Sequence, residues 1–118
     1  MSDGDQTTGR QRTAEECVEM AHVRHEIDRL DRALVALISE RTRYIEAAAR
    51  IKEDIDTVRL EWRIEEVVAK VLREAKVQDL PDAIAEPVWR TLIEQSIQHE
   101  FAVWKELRAN GAQDLGKT

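Results

Sequence analysis

The sequence predicts an all-α protein with three helices, the first of which is unusually long. Two observations carry this prediction. Only 4 Gly and 2 Pro occur among 118 residues, and 36% of the residues are charged. Good helix formers dominate, and apolar residues recur at helical spacing in three segments separated by polar breaks. The length suits a single domain, because two independent cores would each be too small.

The first predicted helix runs from Thr13 to about Lys52. Thr13 and Glu16 have the spacing of a capping box, and no Gly or Pro follows before Lys52. About 40 residues would span roughly 60 Å, which exceeds a small domain. The long apolar stripe must be covered along its length, so we expect it to pack against a second chain. That stripe comprises Cys17, Met20, Ile27, Leu30, Leu34, Leu37, Ile38, Ile45 and Ile51.

Two further helices follow a polar break at residues 53–57. The second is predicted from about Val58 to Lys76 and the third up to about Ala109, with the connection at residues 77–81. Pro87 fits if it lies in the first turn of the third helix, and Asn110-Gly111 predicts its end. The predicted organisation is a disordered arm at 1–12, a helical domain at 13–109 and a flexible tail at 110–118.

Composition excludes several classes of function. A net charge of −6 gives no general attraction to nucleic acid or to an anionic membrane. No apolar run approaches the roughly 20 residues of a membrane span, and residues 1–12 do not resemble a signal peptide, so we expect a cytoplasmic protein. Cys17, the single cysteine, is expected to be a partly buried apolar residue. His22, His25 and His99 lack metal-ligand spacing, and no nucleophile set or phosphate loop is present, so no metal and no cofactor is expected.

Polar residues on the apolar stripes are the first functional signal. Arg41 falls on the seam of the first helix, where an unpaired guanidinium is costly. Lys52 follows eleven residues later, about 20° round the helix and roughly 16 Å along it, so both cations face one side. Arg41 could instead reach solvent or pair with an internal carboxylate, and Lys52 could be a solvated helix end.

Other polar residues extend this pattern on the remaining helices. Ser96 and Glu100 lie on the apolar line of the third helix, where a glutamate needs a partner or a proton. A structural pairing of Glu100 with Arg41, Arg63 or Lys52 is the alternative. Arg63 flanks the stripe of the second helix, where a solvated arginine is equally ordinary. Arg24 points about 100° away from Arg41, so it is either a surface charge or a contribution to another subunit's site.

Several cations without a nucleophile suit one kind of chemistry. Arginine binds carboxylate through two hydrogen bonds, so arginine and lysine from different helices can clamp a dicarboxylate. A pericyclic rearrangement needs no covalent catalyst, only a constrained substrate and charge placed against a developing negative oxygen.

The chain resembles the all-helical chorismate mutases. The similar segments are 24–31 (RHEIDRLD), 37–41, 47–52 (AAARIK) and 92–96 (LIEQS), and the resemblance covers about Thr13 to Leu107. The ordered set of six polar residues is its most specific part: Arg24, Arg41, Lys52, Arg63, Ser96 and Glu100. Residues 13–17, 44–52 and 97–104 look closer to the isochorismate-pyruvate lyase branch.

The resemblance implies an intertwined homodimer with two active sites and a small dicarboxylate substrate. Arg41, with Arg24 from the partner subunit, would hold the carboxylates, and Lys52 and Glu100 would face the ether oxygen. The implied substrate-binding set is completed by Arg63, Ser96, Leu60, Ile64 and Ile97.

The resemblance leaves several functions open. The first is chorismate mutase, which makes prephenate. The alternatives are an isochorismate-pyruvate lyase, an aminodeoxychorismate mutase, and a non-catalytic helical dimerisation module. Glu100 stands where a glutamine is expected for the lyase, and it must be protonated to donate a hydrogen bond.

Overall fold

The computed structural model describes residues 8–116, with side chains described through residue 111. It contains three α-helices, α1 (Met20–Ile51), α2 (Glu61–Val77) and α3 (Asp82–Gly116), and two short 3-10 helices at Ala14–Glu16 and Ile55–Thr57. No strand occurs among the described residues. The predicted all-α class with three helices is confirmed. The chain divides into two compact units whose boundary, between Arg41 and Thr42, falls within α1.

The first α-helix begins later than the sequence predicts. The capping box forms, because the Glu16 carboxylate accepts a hydrogen bond from the Thr13 N–H at 2.8 Å. It caps only a three-residue 3-10 helix, which ends where Cys17 adopts an extended conformation. A new helix then starts at Met20. Cys17 is half-buried, as expected. A local capping signal therefore identified a helical turn correctly but placed the start of the long helix seven residues too early.

The N-terminal segment is tied to α1 where it is described. The backbone N–H groups of Gln11 and Arg12 donate to Glu26 Oε2 at 3.0 and 3.1 Å. Arg29 Nε donates to the other carboxylate oxygen of Glu26 at 2.9 Å. These two residues belong to the arm predicted at residues 1–12, and both are hydrogen-bonded to α1. Residues 1–7 lie outside the described residues.

The second unit has its core between α2 and α3. Val58, Val68, Ile93 and Ile97 are buried together. Seven partly buried side chains surround them: Ile55, Ile64, Val67, Leu72, Trp89, Phe101 and Trp104. On α2 this packing follows the predicted apolar stripe. On α3 the buried residues Ile93 and Ile97 each lie one position after Leu92 and Ser96 of the predicted line.

Ion pairs set the register of α2 against α3. Arg59, just before α2, donates to both oxygens of Glu94 at 2.8 and 2.6 Å, and Arg90 donates to both oxygens of Glu65 at 3.0 Å. The earlier residue on the α2 side, Arg59, pairs with the later residue on α3, and Glu65 pairs with the earlier one. The two helices are therefore antiparallel. Hydrogen bonding to the Arg59 guanidinium holds the pKa of Glu94 below its ordinary value. Exposed pairs of this kind contribute little stability but restrict sliding.

The connection between α2 and α3 covers residues 78–81, one residue fewer than predicted. Asp79 has φ of 57°, in the left-handed region that aspartate tolerates. Leu80 N–H donates to Ala75 O at 2.8 Å, which closes the end of α2.

The third helix departs from its prediction at both ends. Pro87 is the sixth residue of α3, in the second turn rather than the first. Its missing N–H deprives the carbonyl of Ala83 of the usual donor, at an exposed position where water can replace it. The helix also continues through Asn110-Gly111 to Gly116, so the predicted stop is wrong. Gly111 has no positive φ and therefore does not end the helix. No described helix is both long and apolar enough to cross a membrane.

Candidate active site

Lys52 and Glu100 form an ion pair inside the second unit. Lys52 Nζ donates to Glu100 Oε2 at 2.8 Å. Glu100 is 4% exposed, and it is the one charged residue buried among those whose side chains the structure describes. A buried carboxylate without a partner would be strongly destabilising, so this contact explains how the chain tolerates it. The structural pairing left open by the sequence is therefore present, with Lys52 as the partner.

The backbone places Lys52 at the point where α1 ends. Ile51 is the last residue of α1, and the Lys52 N–H still donates to Ala48 O at 2.9 Å. The side chain thus leaves from the final helical turn. Its 27% exposed surface leaves the ammonium partly open to solvent while Glu100 holds it from the other side.

Two residues of α3 bind the end of α1. Trp104 Nε1 donates to Lys52 O at 2.9 Å, and Arg108 donates to Ala49 O at 2.7 Å and also to Lys52 O. The Arg108 guanidinium lies over the Trp104 ring, 4.4 Å from its centroid. Neither contact is evident from the sequence. The one available signal was the four-residue spacing of Glu100, Trp104 and Arg108, which places them on one side of α3.

The predicted apolar residues lie in or beside the core of the second unit. Ile97 is 7% exposed and belongs to the buried cluster, against which Ile64 packs. Leu60 is half-buried and precedes α2 in an extended conformation. Ser96 is half-buried on α3, one residue before Ile97.

Arg63 binds a carboxylate of its own helix rather than the Lys52–Glu100 pair. Its guanidinium donates to Glu66 Oε1 at 2.7 Å, one turn along α2, and its side chain is 53% exposed. The same hydrogen bond lowers the pKa of Glu66. Arg63 is therefore a solvated arginine here, the alternative that the sequence left open.

The remaining two predicted residues belong to the first unit. Arg24 is exposed on α1, and Arg41 is half-buried at the last position of that unit. The structure thus brings Lys52 and Glu100 together, sets Ile64 and Ile97 in the core of the same unit, and leaves Arg24 facing solvent. Among the residues described, no three His, Cys, Asp or Glu side chains are grouped as metal ligands.

Comparisons with known proteins agree with the resemblance seen in the sequence. Residues 23–101 match the family described as chorismate mutase type II. The chain is also 26% identical to the isochorismate pyruvate lyase of Pseudomonas aeruginosa over 97 residues, which cover 82% of this chain and 96% of that relative. The family match includes the positions of all six polar residues of the resemblance and spans most of the chain. The chain therefore belongs to the chorismate mutase type II family.

Proposed function

We propose that this protein is a chorismate mutase that converts chorismate to prephenate. The observation that carries the proposal is the Lys52–Glu100 pair, in which a lysine and a buried carboxylate meet at 2.8 Å. Family membership and the lyase relative both support an enzyme, whether an isomerase or a lyase. A mutase requires polar groups that can act on the same substrate oxygen, and Lys52 and Glu100 lie close enough together to do so.

The proposed reaction is an intramolecular rearrangement. The ether C–O bond breaks while a C–C bond forms, and no atom leaves or enters the substrate. Catalysis then requires a compact substrate conformer and hydrogen-bond donors on the oxygen that gains negative charge. Lys52 Nζ would donate one hydrogen bond to this oxygen, and protonated Glu100 would donate a second. Substrate must replace the contact that these two groups make with each other.

The resemblance assigns the remaining roles. Arg41 and Arg24 of the partner subunit would hold the two carboxylates, with Ser96 beside them. Arg63 would have to exchange its bond to Glu66 for the substrate, which costs little because both side chains are substantially exposed. Leu60, Ile64 and Ile97 would form the apolar wall.

A homodimer is part of this proposal. Ile27, Leu34 and Leu37 on α1 are 50%, 51% and 52% exposed in the single chain. A stripe of large apolar residues at helical spacing is unfavourable in water, so its exposure supports coverage by a second copy. A cytoplasmic location also stays a prediction.

An isochorismate-pyruvate lyase, which would make salicylate and pyruvate, is the second candidate. The relative named as such a lyase aligns over nearly its whole length. Leu60 and Ile64 are apolar, where many chorismate mutases carry acidic residues near the substrate hydroxyl. An aminodeoxychorismate mutase is a further variant of the same chemistry. A non-catalytic dimerisation module is the alternative of another class, and the Lys52–Glu100 pair would then be purely structural.

The decisive experiment supplies chorismate and isochorismate in parallel to the purified protein, at acid and at neutral pH. Prephenate as the main product would support the mutase, whereas salicylate with pyruvate would replace it by the lyase. Lys52→Ala is the matched inactive control for either reaction. If both substrates are unchanged, a thermal shift with a dicarboxylate transition-state mimic decides, because a ligand that binds the native state raises the Tm. An unchanged Tm would favour the non-catalytic dimerisation module.

A further inference from the structure

The carbonyl groups at the end of α1 are bound by side chains of α3. The last carbonyls of a helix have no donor within the helix and normally turn to water or to capping groups. Here Ala49 O accepts from Arg108 at 2.7 Å, and Lys52 O accepts from Trp104 Nε1 at 2.9 Å and from Arg108. Trp104 and Arg108 are both half-buried, and the hydrogen bonds are partly buried as well.

We propose that Trp104 and Arg108 are positioning residues for Lys52. The inference rests on the proposed function, in which the Lys52 ammonium contacts the reacting oxygen. One face of α3 holds Lys52 at both of its ends: Glu100 binds the ammonium, and Trp104 and Arg108 bind the carbonyl. The three residues follow at intervals of four, which places them in line along α3.

The position of the bonds explains why they would affect Lys52 in particular. Terminal helical turns fray when their carbonyls are not capped. Lys52 lies just beyond the last residue of α1, so fraying there moves its Cα and the origin of its long side chain. A displacement of about 1 Å in a group that acts on the transition state can cost roughly 100-fold in rate. The stacking of Arg108 on Trp104 fixes the two donors relative to each other.

Kinetics of two variants test this role. Arg108→Ala removes donors to both carbonyls, whereas Trp104→Phe keeps an aromatic ring beneath Arg108 and removes only the N–H. We expect kcat to fall about 10- to 100-fold in Arg108→Ala and less in Trp104→Phe, with KM within about 3-fold, because the substrate carboxylates are held by other residues. Arg108→Lys keeps one donor group, so its kcat should lie between those of the wild type and Arg108→Ala.

Arg90→Ala is the matched control. Arg90 is also an arginine of α3, and its two acidic partners, Glu65 and Glu86, lie on α2 and α3. The Arg90→Ala substitution should lower the Tm without lowering kcat. An unchanged kcat in folded Arg108→Ala, or an equal loss in Arg90→Ala, overturns the inference. If Arg108→Ala does not fold, Trp104→Phe and Arg108→Lys supply the same comparison.

A second readout needs no substrate. Lysine labelled with ¹³C at Cε gives an NMR signal for each side chain, and Lys52→Arg assigns the signal of Lys52. In Arg108→Ala this signal should move toward those of the exposed lysines Lys70 and Lys76, and in Arg90→Ala it should stay in place. A Lys52 signal that is unchanged in Arg108→Ala overturns the inference. Wild-type protein inert toward every substrate would remove the proposed function, yet this measurement would still decide whether Arg108 holds Lys52.

Discussion

At the scale of single residues, Glu100 is the central residue of the proposed site. Its carboxylate is almost fully buried and has Lys52 as its charged partner. Removing one member of such a pair leaves the other without compensation, which is usually more costly than having neither. A purely structural pair could be replaced by apolar residues, so a test must ask whether the charge state of Glu100 affects turnover.

The first prediction concerns the replacement of Glu100 by glutamine. An ionised carboxylate only accepts hydrogen bonds, whereas the ether oxygen requires a donor. Because only a protonated carboxyl group donates, turnover by the wild-type protein should be higher in acid than at neutral pH. Glutamine donates at every pH, so Glu100→Gln should flatten the profile of kcat/KM against pH. Glu106→Gln, which alters an exposed carboxylate on the same helix, should keep the wild-type profile. An unchanged slope in Glu100→Gln would refute the role.

Trp104 and Arg108 show which residues a sequence pattern does not reveal. Both look like ordinary members of an amphipathic helix, one apolar and one charged at its edge. Their donors bind backbone carbonyls, and a carbonyl is present at every residue, so no particular side chain marks the acceptor. Arg41 and Glu100 each interrupt an apolar line, and Lys52 lies on the same side of its helix as Arg41. All three signals are local properties of one helix.

At the scale of elements, Glu26 joins the N-terminal segment to α1. Its carboxylate accepts from Arg29 and from two backbone N–H groups. The Arg29 hydrogen bond, followed by those from Gln11 and Arg12, lowers the pKa of Glu26 to about 2. Three donors favour the ionised form, so the attachment of this segment depends on pH.

The second prediction follows from the direction of that pKa shift. A carboxyl group with a depressed pKa in the folded state stabilises it fully above the unfolded value, near 4.5, and loses this effect as pH falls toward 2. Glu26→Gln should therefore have a lower Tm than wild type at neutral pH, and the difference should shrink below about pH 4.5. Asp28→Asn, at an exposed position on α1, should show a much smaller difference throughout. A gap in Tm that persists undiminished at pH 2 would contradict this account.

The third helix shows tertiary context prevailing over local preferences. Pro87 and Gly111 are both residues that commonly end helices, yet α3 includes them. Each of these residues destabilises a helix by about 3 kcal/mol or less. Burial of the apolar face that includes Ile93 and Ile97 offsets this loss of stability. The same weakness of local signals explains the short 3-10 helix after Thr13, where a good capping box did not start α1.

At the scale of the whole molecule, the central question is what covers the apolar stripe of α1. Ile27, Leu34 and Leu37 keep about half of their surface exposed. Large exposed apolar patches commonly mark association sites. If a second copy covers this stripe, the active site becomes dependent on assembly, because Arg24 of the partner subunit would complete it.

The third prediction is that Leu34→Glu weakens the dimer and the activity together. Burying an unpaired carboxylate costs at least about 1.4 kcal/mol, so the dissociation constant should rise by about 10-fold or more. Analytical ultracentrifugation over a range of concentrations measures this, and kcat/KM measured at the same concentrations should follow the dimer fraction. Arg32→Glu introduces the same side chain on the opposite side of α1 and should leave both unchanged. A wild-type protein that sediments as a monomer would refute the dimer.

The sequence by itself determined the helical class, the apolar stripes and the polar residues that interrupt them. Each of these depends on the 3.6-residue period, which is readable within a window of one helix. Only the tertiary structure decided that Glu100 pairs with Lys52, that Trp104 and Arg108 close the end of α1, and that α3 continues past Gly111. Lys52 and Glu100 are 48 residues apart. Their contact depends on how separate helices pack, and periodicity within one helix carries no information about that distance.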